Sequence, residues 1–249
     1  MGLLEASFYN DVLAVDARLK QKIIFRTGTY DDLIDLPMND LDRYGCPALV
    51  LASSRAFGVT NEQVFTLAAI VQYIFMADRV HGLVLDGQKE ETQYPVLVGD
   101  YLYGKFFLEL TEHQLDYMLE PLAQVIAAMS EGSIARWIAD KNGETLSFAE
   151  NTEIMGQEKG CFTGKIIGLA AHLCNAPIHL KELLESFGYQ MGLGWAAFTQ
   201  NFSSEVVKGF LEKSHVLLLK IQDEHDGDLT PLYQLYDFFA GELLANTIE

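Results

Sequence analysis

The sequence predicts an all-α protein, and three features of its pattern favour that class. Apolar residues recur at the three- and four-residue spacing of a buried helix face through most of the chain. A clear example is the stripe Val64, Leu67, Ala68, Val71, Ile74 and Phe75. Residues typical of helix ends separate these segments, and no stretch alternates polar and apolar residues long enough to favour a strand. We therefore expect one large helical bundle, with residues 1–249 forming a single domain.

Capping boxes mark two of the expected helix starts. Thr60 and Gln63 have the spacing of such a box at the start of the stripe above, and Gly87 follows its expected end. Thr111 and Gln114 have the same spacing and separate VLVGDYLYGKFFLEL from LDYMLEPLAQVIAAMSEG.

Prolines mark the later boundaries. Pro121 lies inside a helical pattern and should kink that helix or delay its regular start. Asn175 and Pro177 predict a new helix, and Thr230 followed by Pro231 predicts the start of the last one. The expected loops are the polar, glycine-containing stretches 86–93, 140–144 and 223–228. None is long enough to divide the chain into two domains.

The charge balance limits the classes of partner. Of 249 residues, 35 are acidic and 17 are basic, so the chain carries an excess of 18 negative charges. Such a surface repels polyphosphate backbones and anionic lipid, which argues against nucleic acid as a partner. To hold a polyanionic ligand, this chain would need Mg²⁺ or the basic groups of a partner.

Cysteine usage and hydropathy predict a cytoplasmic protein without a membrane span. Cys46, Cys161 and Cys174 lack the spacing of metal ligands and have small or apolar neighbours, which is typical of reduced core thiols. The N-terminal segment is acidic, unlike the basic start of a signal peptide. The most apolar run, 67–77, contains Gln72 and is too short to cross a bilayer.

Four stretches, in order along the chain, have the form of known motifs. They are YGCPALVLASSRAFG (44–58), LAAIVQYIFMADRVHG (67–82), VLVGDYLYGKFF (96–107) with AAMSEG (127–132) behind it, and FGYQMGLGWAAFTQNFS (187–203). In these stretches the chain resembles the polyprenyl (trans-isoprenyl) diphosphate synthase family. The run QYPVLVGDYLYGKFFLELTE is especially similar to component I of the heteromeric heptaprenyl diphosphate synthases, the small non-catalytic subunit without aspartate-rich motifs. The resemblance implies the all-α fold of the isoprenoid synthases.

The resemblance also shows where this chain departs from its family. The family ionises an allylic diphosphate between two aspartate-rich motifs that hold Mg²⁺, which prefers carboxylate oxygens. At the first motif this chain keeps Asp78 and His81, one turn apart on a helix face, and a hydrogen-bonded or solvated pair is the simpler interpretation. At the second motif Gln200 and Asn201 stand in a segment without any carboxylate. We therefore expect no catalytic residue and no metal site in this chain.

The basic residues of the family are also depleted. Its glycine-rich basic signature is reduced to Arg43, and its arginine pair is replaced by DGQKEETQY (86–94). Lys159 matches a family lysine that contacts substrate phosphate, although Lys165 competes for that assignment and a surface lysine is an equal alternative. Arg43 and Lys159 are the candidate substrate-binding residues.

The motif VLVGDYLYGKFF offers a second kind of site. Its aromatic residues could line an isoprenoid tunnel, contact a partner helix or simply belong to the core. They are Tyr101, Tyr103, Phe106 and Phe107. Gly99 is explained by close helix packing and Asp100 by a buried hydrogen bond.

The leading hypothesis is a non-catalytic subunit of a heteromeric trans-polyprenyl diphosphate synthase. By resemblance, its partner would be the catalytic subunit carrying Mg²⁺, its ligand an isoprenoid chain, and its effect the regulation of product length in quinone side-chain biosynthesis. One alternative is a self-sufficient prenyltransferase with a site rebuilt around Asp78, His81 and Asp86. Another is a homodimeric isoprenoid carrier or regulator.

Overall fold

The computed structural model describes residues 3–23, 38–83 and 93–245, and within these ranges the chain is almost entirely helical, with no β-strand. The α-helices are α1 (Tyr9–Lys22), α2 (Asp40–Ala56), α3 (Glu62–His81), α4 (Gln93–Glu112), α5 (Leu119–Asn142), α6 (Phe148–Met155), α7 (Cys161–Leu173), α8 (Ile178–Thr199), α9 (Ser204–Glu224) and α10 (Thr230–Ala245). Short 3₁₀ turns precede α1 and α5, and a π-helical segment, Gly156–Gly160, joins α6 to α7. The predicted all-α class is confirmed.

Helix α3 is the central element. Nearly every residue from Val64 to Ala77 is buried, because α1, α2, α4 and α7 pack around it. By length and composition α3 could also cross a membrane, but 78% of its apolar window is buried inside the fold, as in the core helix of a globular protein. The apolar run noted in the sequence therefore belongs to the core.

The start of α3 differs from the predicted capping box. Its cap is Asn61, whose backbone is extended (φ −146°, ψ 173°) and whose Oδ1 accepts a hydrogen bond from the Val64 N–H at 3.0 Å. The prediction of Thr60 with Gln63 is wrong, because Asn61 is itself a strong cap residue and stands one position nearer the helix.

Two other predicted helix ends also need correction. Gly82, directly after α3, is its C-cap residue, whereas the predicted Gly87 lies outside the described residues. Thr111 lies in the last turn of α4, where its hydroxyl donates to carbonyl oxygens of the preceding turn, so it caps no new helix. The chain reverses instead at Gln114, which has a left-handed backbone (φ 56°).

The predictions from proline are confirmed. Pro121 lies in the first turn of α5, which begins only after the 3₁₀ turn Asp116–Met118. Pro177 is the N-cap of α8 and follows Asn175, whose φ is 54°. Pro231 is the second residue of α10. A proline has no N–H to donate, so the first turn of a helix tolerates it.

The predicted loops are partly confirmed. α5 extends to Asn142 and ends at Gly143, whose backbone is left-handed (φ 66°), and α9 extends to Glu224. Residues 86–92 of the loop predicted at 86–93 lie outside the described residues. The last residue of that prediction, Gln93, begins α4.

Glycines let α8 lie directly against the backbone of α7 and the π segment. A methyl group on Gly188 would lie 2.7 Å from the carbonyl oxygen of Thr163, and one on Gly192 would lie 2.7 Å from that of Lys159. Only glycine permits backbones to approach this closely. The close contact fixes the middle of α8 against α7 and the π segment.

A buried carboxylate joins α1 to α4. Glu109 is 1% exposed, and its carboxylate accepts hydrogen bonds from Arg18 (Nη2–Oε2, 3.0 Å) and from the Lys22 ammonium. Arg18 also bonds the exposed Glu62 at 2.6 Å. Because burying an unpaired charge is costly, Glu109 requires both basic partners.

We expect Glu109→Ala to lower the free energy of unfolding by about 3 kcal/mol, since Arg18 and Lys22 would lose a buried counter-ion. Glu62→Ala is the matched control, because it removes another carboxylate from the same arginine. Its side chain is 66% exposed, and exposed ion pairs contribute at most about 1 kcal/mol. Urea unfolding followed by circular dichroism measures both. Equal losses for the two variants would contradict the central role given to Glu109.

Candidate functional site

A cavity of about 690 Å³ lies where the predicted site segments meet. Its polar lining comes from α3 (Asp78, Arg79, His81), α4 (Tyr103), α5 (Ser130, Ser133, Arg136), the π segment (Glu158, Lys159) and the end of α8 (Thr199, Gln200). The structure therefore brings together both degenerate motifs and Lys159.

The π segment supplies two neighbouring charged residues to this cavity. In a π-helical turn, Glu158 and Lys159 both reach the cavity wall. Gly132, at the end of AAMSEG, makes room for the segment, because a methyl group there would lie 2.9 Å from the Cγ of Glu158. The motif glycine of α5 thus has a packing role at the site.

Lys159 is held between two aromatic rings. Its side chain is buried, and its Nζ lies 4.4 Å from the ring centroids of both Phe75 and Trp195. Such cation–π contacts stabilise an ammonium that has left water. Burial lowers the pKa of Lys159, and the nearby Asp78 carboxylate opposes that shift. Of the two candidate lysines, Lys159 lines the cavity, whereas Lys165 pairs with Glu185 at 3.2 Å elsewhere.

Asp78 is the carboxylate that remains from the first motif. Burial raises its pKa, while Lys159 opposes the shift and Glu158 adds to it. Within the described ranges, no group of three or more His, Cys, Asp or Glu side chains is arranged to hold a metal ion.

Arg136, Glu158 and Gln200 form a hydrogen-bonded network across the cavity. Arg136 donates two hydrogen bonds to Glu158, Nε–Oε1 at 2.7 Å and Nη2–Oε2 at 2.8 Å. The Gln200 amide donates to the same Oε2 at 2.8 Å. Gln200, at the position of the second motif, therefore links the end of α8 to the π segment and, through Glu158, to α5. Its neighbour Asn201 is exposed, with a left-handed backbone (φ 58°).

His81 contacts α4. Its Nε2 lies 3.3 Å from the Val96 carbonyl oxygen and 3.5 Å from Asp100 Oδ1. Gly99 leaves room for the ring in this position, since a methyl group there would lie 2.1 Å from Nε2. Close packing at Gly99 is therefore confirmed. The buried hydrogen bond predicted for Asp100 is wrong, because that side chain is 66% exposed.

The remaining basic candidate lies apart from the cavity lining. Arg43 is in the first turn of α2, half-buried, with its guanidinium 6.0 Å from the Tyr44 ring centroid. Arg79 is the arginine of this region that lines the cavity, and it pairs with Asp42 at 3.5 Å.

The four aromatic residues of VLVGDYLYGKFF occupy different environments. Phe106 is 1% exposed in the core, whereas Phe107 is 49% exposed. Tyr103 lines the cavity, and burial raises its pKa to about 12. Tyr101 is half-buried and packs against the edge of the core, with the Lys105 Nζ 5.4 Å from its ring centroid. Phe106 therefore packs inside the chain, and Phe107 is the ring that a partner could reach.

Sequence reasoning missed Arg136 and Glu158. The segment GQEKG, with a glycine at each end of a charged pair, was the available signal. An α-helical repeat does not place two consecutive residues on one wall, so the pattern alone could not reveal them.

We expect Gln200→Asp, which restores an aspartate to the second motif, to lower the free energy of unfolding by about 2 kcal/mol at pH 7. The substitution loses a hydrogen bond to a charged group and faces Glu158 with a like charge. That repulsion raises the folded-state pKa of the new carboxyl. The lost stability should therefore return as the pH falls below that pKa and the group binds a proton.

Asn201→Asp is the matched control for that experiment. It adds the same charge one residue away at an exposed position, where we expect a change within about 0.5 kcal/mol. Chemical unfolding at several pH values, with and without Mg²⁺, measures both variants. Stabilisation of Gln200→Asp by Mg²⁺ would contradict the structural role given to Gln200.

Comparison with known proteins gives one curated relative. No protein-family model matches the chain. The chain is 28% identical over 159 residues to decaprenyl-diphosphate synthase subunit 2 of Schizosaccharomyces pombe, in an alignment covering 61% of this chain and 52% of that protein. It therefore spans about half the length of the curated relative that it matches.

Solved structures of similar fold cover nearly the whole chain. A polyprenyl synthase from Caulobacter crescentus, complexed with calcium and isoprenyl diphosphate, has a TM-score of 0.75 at 17% identity, covering 94% of this chain and 96% of that one. Heptaprenyl diphosphate synthase from Staphylococcus aureus has a TM-score of 0.74 at 12% identity, covering 97% and 99%. The heterotetrameric geranyl pyrophosphate synthase of mint has a TM-score of 0.66 at 17% identity, covering 92% and 98%. The chain thus has the all-α fold of the polyprenyl diphosphate synthases, and its sequence is similar to a subunit of one such enzyme.

Proposed function

We propose that this chain is a non-catalytic subunit of a heteromeric trans-polyprenyl diphosphate synthase. The observation that carries the proposal is the network of Arg136, Glu158 and Gln200. At a position where the resemblance expects metal-binding carboxylates, these side chains bind one another.

The chemistry of chain elongation supports this interpretation. Ionising an allylic diphosphate releases a polyanion, whose developing charge must be neutralised by several Mg²⁺ ions. Asp78 offers one carboxylate beside a buried ammonium, and the Glu158 carboxylate is already bound by an arginine. A metal approaching Glu158 would have to displace Arg136, and one approaching Asp78 would be repelled by the Lys159 ammonium.

A catalytic partner would supply what this chain lacks. In the proposed complex that partner holds Mg²⁺ and both diphosphate substrates, and this chain contributes apolar surface that shapes the product. Two observations support a heteromer: the curated relative is named as a subunit, and the mint synthase of similar fold is heterotetrameric. Leu83 and Ile134 are exposed apolar residues at the cavity mouth, where an isoprenoid chain or partner could contact them.

We further propose that the complex acts in quinone side-chain biosynthesis and resides in the cytoplasm. The cytoplasmic location is supported by the three free thiols, of which Cys46 is fully buried and the others are half-buried. Reduced, buried thiols of this kind suit a reducing compartment.

We expect the purified chain to yield no prenyl product from isopentenyl and allylic diphosphates with Mg²⁺. Mixed with its cognate catalytic subunit, it should restore activity or lengthen the product. Chromatography of radiolabelled products from the chain, the partner and the mixture measures the effect. Robust product from the chain alone would overturn the proposal in favour of a self-sufficient enzyme.

The variant Lys159→Met distinguishes the proposed complex from a self-sufficient enzyme in the same assay. In the proposed complex the partner holds both diphosphates, so Lys159 does not have the substrate-binding role that the sequence suggested, and the folded variant should support elongation as well as the wild type. In a self-sufficient site rebuilt around Asp78 and His81, loss of the cavity ammonium should reduce activity at least tenfold, by about 1.4 kcal/mol. Asp86, the third residue of that alternative, lies outside the described residues. Lys165→Met is the matched control.

A further inference from the structure

A second cavity, of about 460 Å³, lies between α5, α7 and α8. The π segment separates it from the cavity of about 690 Å³, which we call the site cavity. Glu158 and Lys159 line the site cavity, whereas the next two residues, Gly160 and Cys161, line the second one. Cavities that take small molecules range from roughly 300 to 1,000 Å³. The second cavity is therefore large enough for a ligand of its own.

Close packing holds the Tyr189 ring as a wall of the second cavity. A methyl group on Gly156 would lie 2.3 Å from the Tyr189 hydroxyl oxygen, and one on Gly160 would lie 2.8 Å from its Cε2. The ring therefore rests directly on the backbone of the π segment, which the two glycines leave bare. A side chain packed this closely does not need to move for the cavity to be open.

The charges of the lining favour an uncharged ligand. Its two charged residues pair with each other, since the Lys165 Nζ lies 3.2 and 3.3 Å from the two carboxylate oxygens of Glu185. A charged ligand would have to compete with this internal pair. Burial raises the pKa of Cys161, so its thiol stays protonated and behaves as a small apolar group. Val125 and Ala128 add apolar wall from α5.

Gln190 provides a polar anchor in the same lining. Its Oε1 is buried and accepts no hydrogen bond from the described residues. A buried acceptor without a donor destabilises a protein, so each such group calls for a partner. The hydroxyl of a ligand is a donor that could supply the missing bond. The lining thus combines apolar walls with one unsatisfied acceptor.

We propose that the second cavity binds a small, uncharged, largely apolar molecule that carries a hydroxyl group. The hydroxyl donates to the Gln190 amide oxygen, and the apolar part packs against Val125, Ala128 and the Tyr189 ring. The proposal does not rest on the proposed function, because the two cavities share none of the described residues that line them.

Equilibrium dialysis of the purified chain against radiolabelled farnesol, an uncharged apolar alcohol, tests the proposal. The wild type should bind farnesol saturably. Ala128→Phe fills the second cavity and should lower the affinity at least about tenfold, because the ligand and the new ring would occupy the same space. Ser133→Phe is the matched control: Ser133 lies on the same helix but lines the site cavity, so its variant should bind farnesol as the wild type does.

Protection of the Cys161 thiol provides a second measurement, which needs no substitution inside the cavity. In a Cys174→Ser background, Cys161 is the half-buried thiol that remains, because Cys46 is fully buried. Bound farnesol should slow the alkylation of Cys161 by N-ethylmaleimide at least about fivefold, since thiol reactivity depends on access. Farnesyl diphosphate, which has the same apolar chain and a charged head group, should give no comparable protection.

Three results would overturn the proposal. The first is the absence of saturable farnesol binding or of Cys161 protection. The second is farnesol binding that Ser133→Phe abolishes and a folded Ala128→Phe variant retains, which would put the ligand in the site cavity. The third is equal protection by farnesyl diphosphate, which would contradict the preference for an uncharged molecule. Circular dichroism checks the fold of each variant. None of these results decides the elongation assay, so the proposed function is tested separately.

Discussion

The bidentate contact between Arg136 and Glu158 is the interaction on which the site depends. Together with Gln200 it joins α5, the π segment and α8, three elements that would otherwise bring unpaired polar groups to one cavity. Charge-assisted bonds of this geometry are strong where water is largely excluded. The cavity is therefore stabilised by charges that belong to the chain.

Lys159 is a second internal cation of the cavity, on the side formed by α3. The ammonium rests between Phe75 and Trp195, and its field opposes the rise that burial causes in the pKa of Asp78. A metal-dependent site takes its cations from solution, whereas this cavity has a cation covalently attached to its wall. The close packing at Gly132 holds that wall in place. The framework of the fold thus holds a buried ammonium close to the Asp78 carboxylate.

Much of the fold follows from local signals in the sequence, because apolar periodicity and proline act on nearby residues. The cap of α3 was misplaced by one residue, since Thr60 and Asn61 are both good caps and only the extended backbone distinguishes them. The site was less predictable. The π segment aims Glu158 at a wall that a regular helix would not give it, and the burial of Glu109 depends on a distant helix. The sequence likewise cannot show which of the adjacent residues Phe106 and Phe107 faces the core.

We propose that internal cations take the place of a metal clamp in this cavity. Calorimetric titration of the chain with Mg²⁺ in the presence of a diphosphate analogue tests this proposal. The heats should not differ from those of dilution, for the wild type and for Asp78→Asn alike. Saturable binding of Mg²⁺ by the wild type that Asp78→Asn abolishes would contradict it.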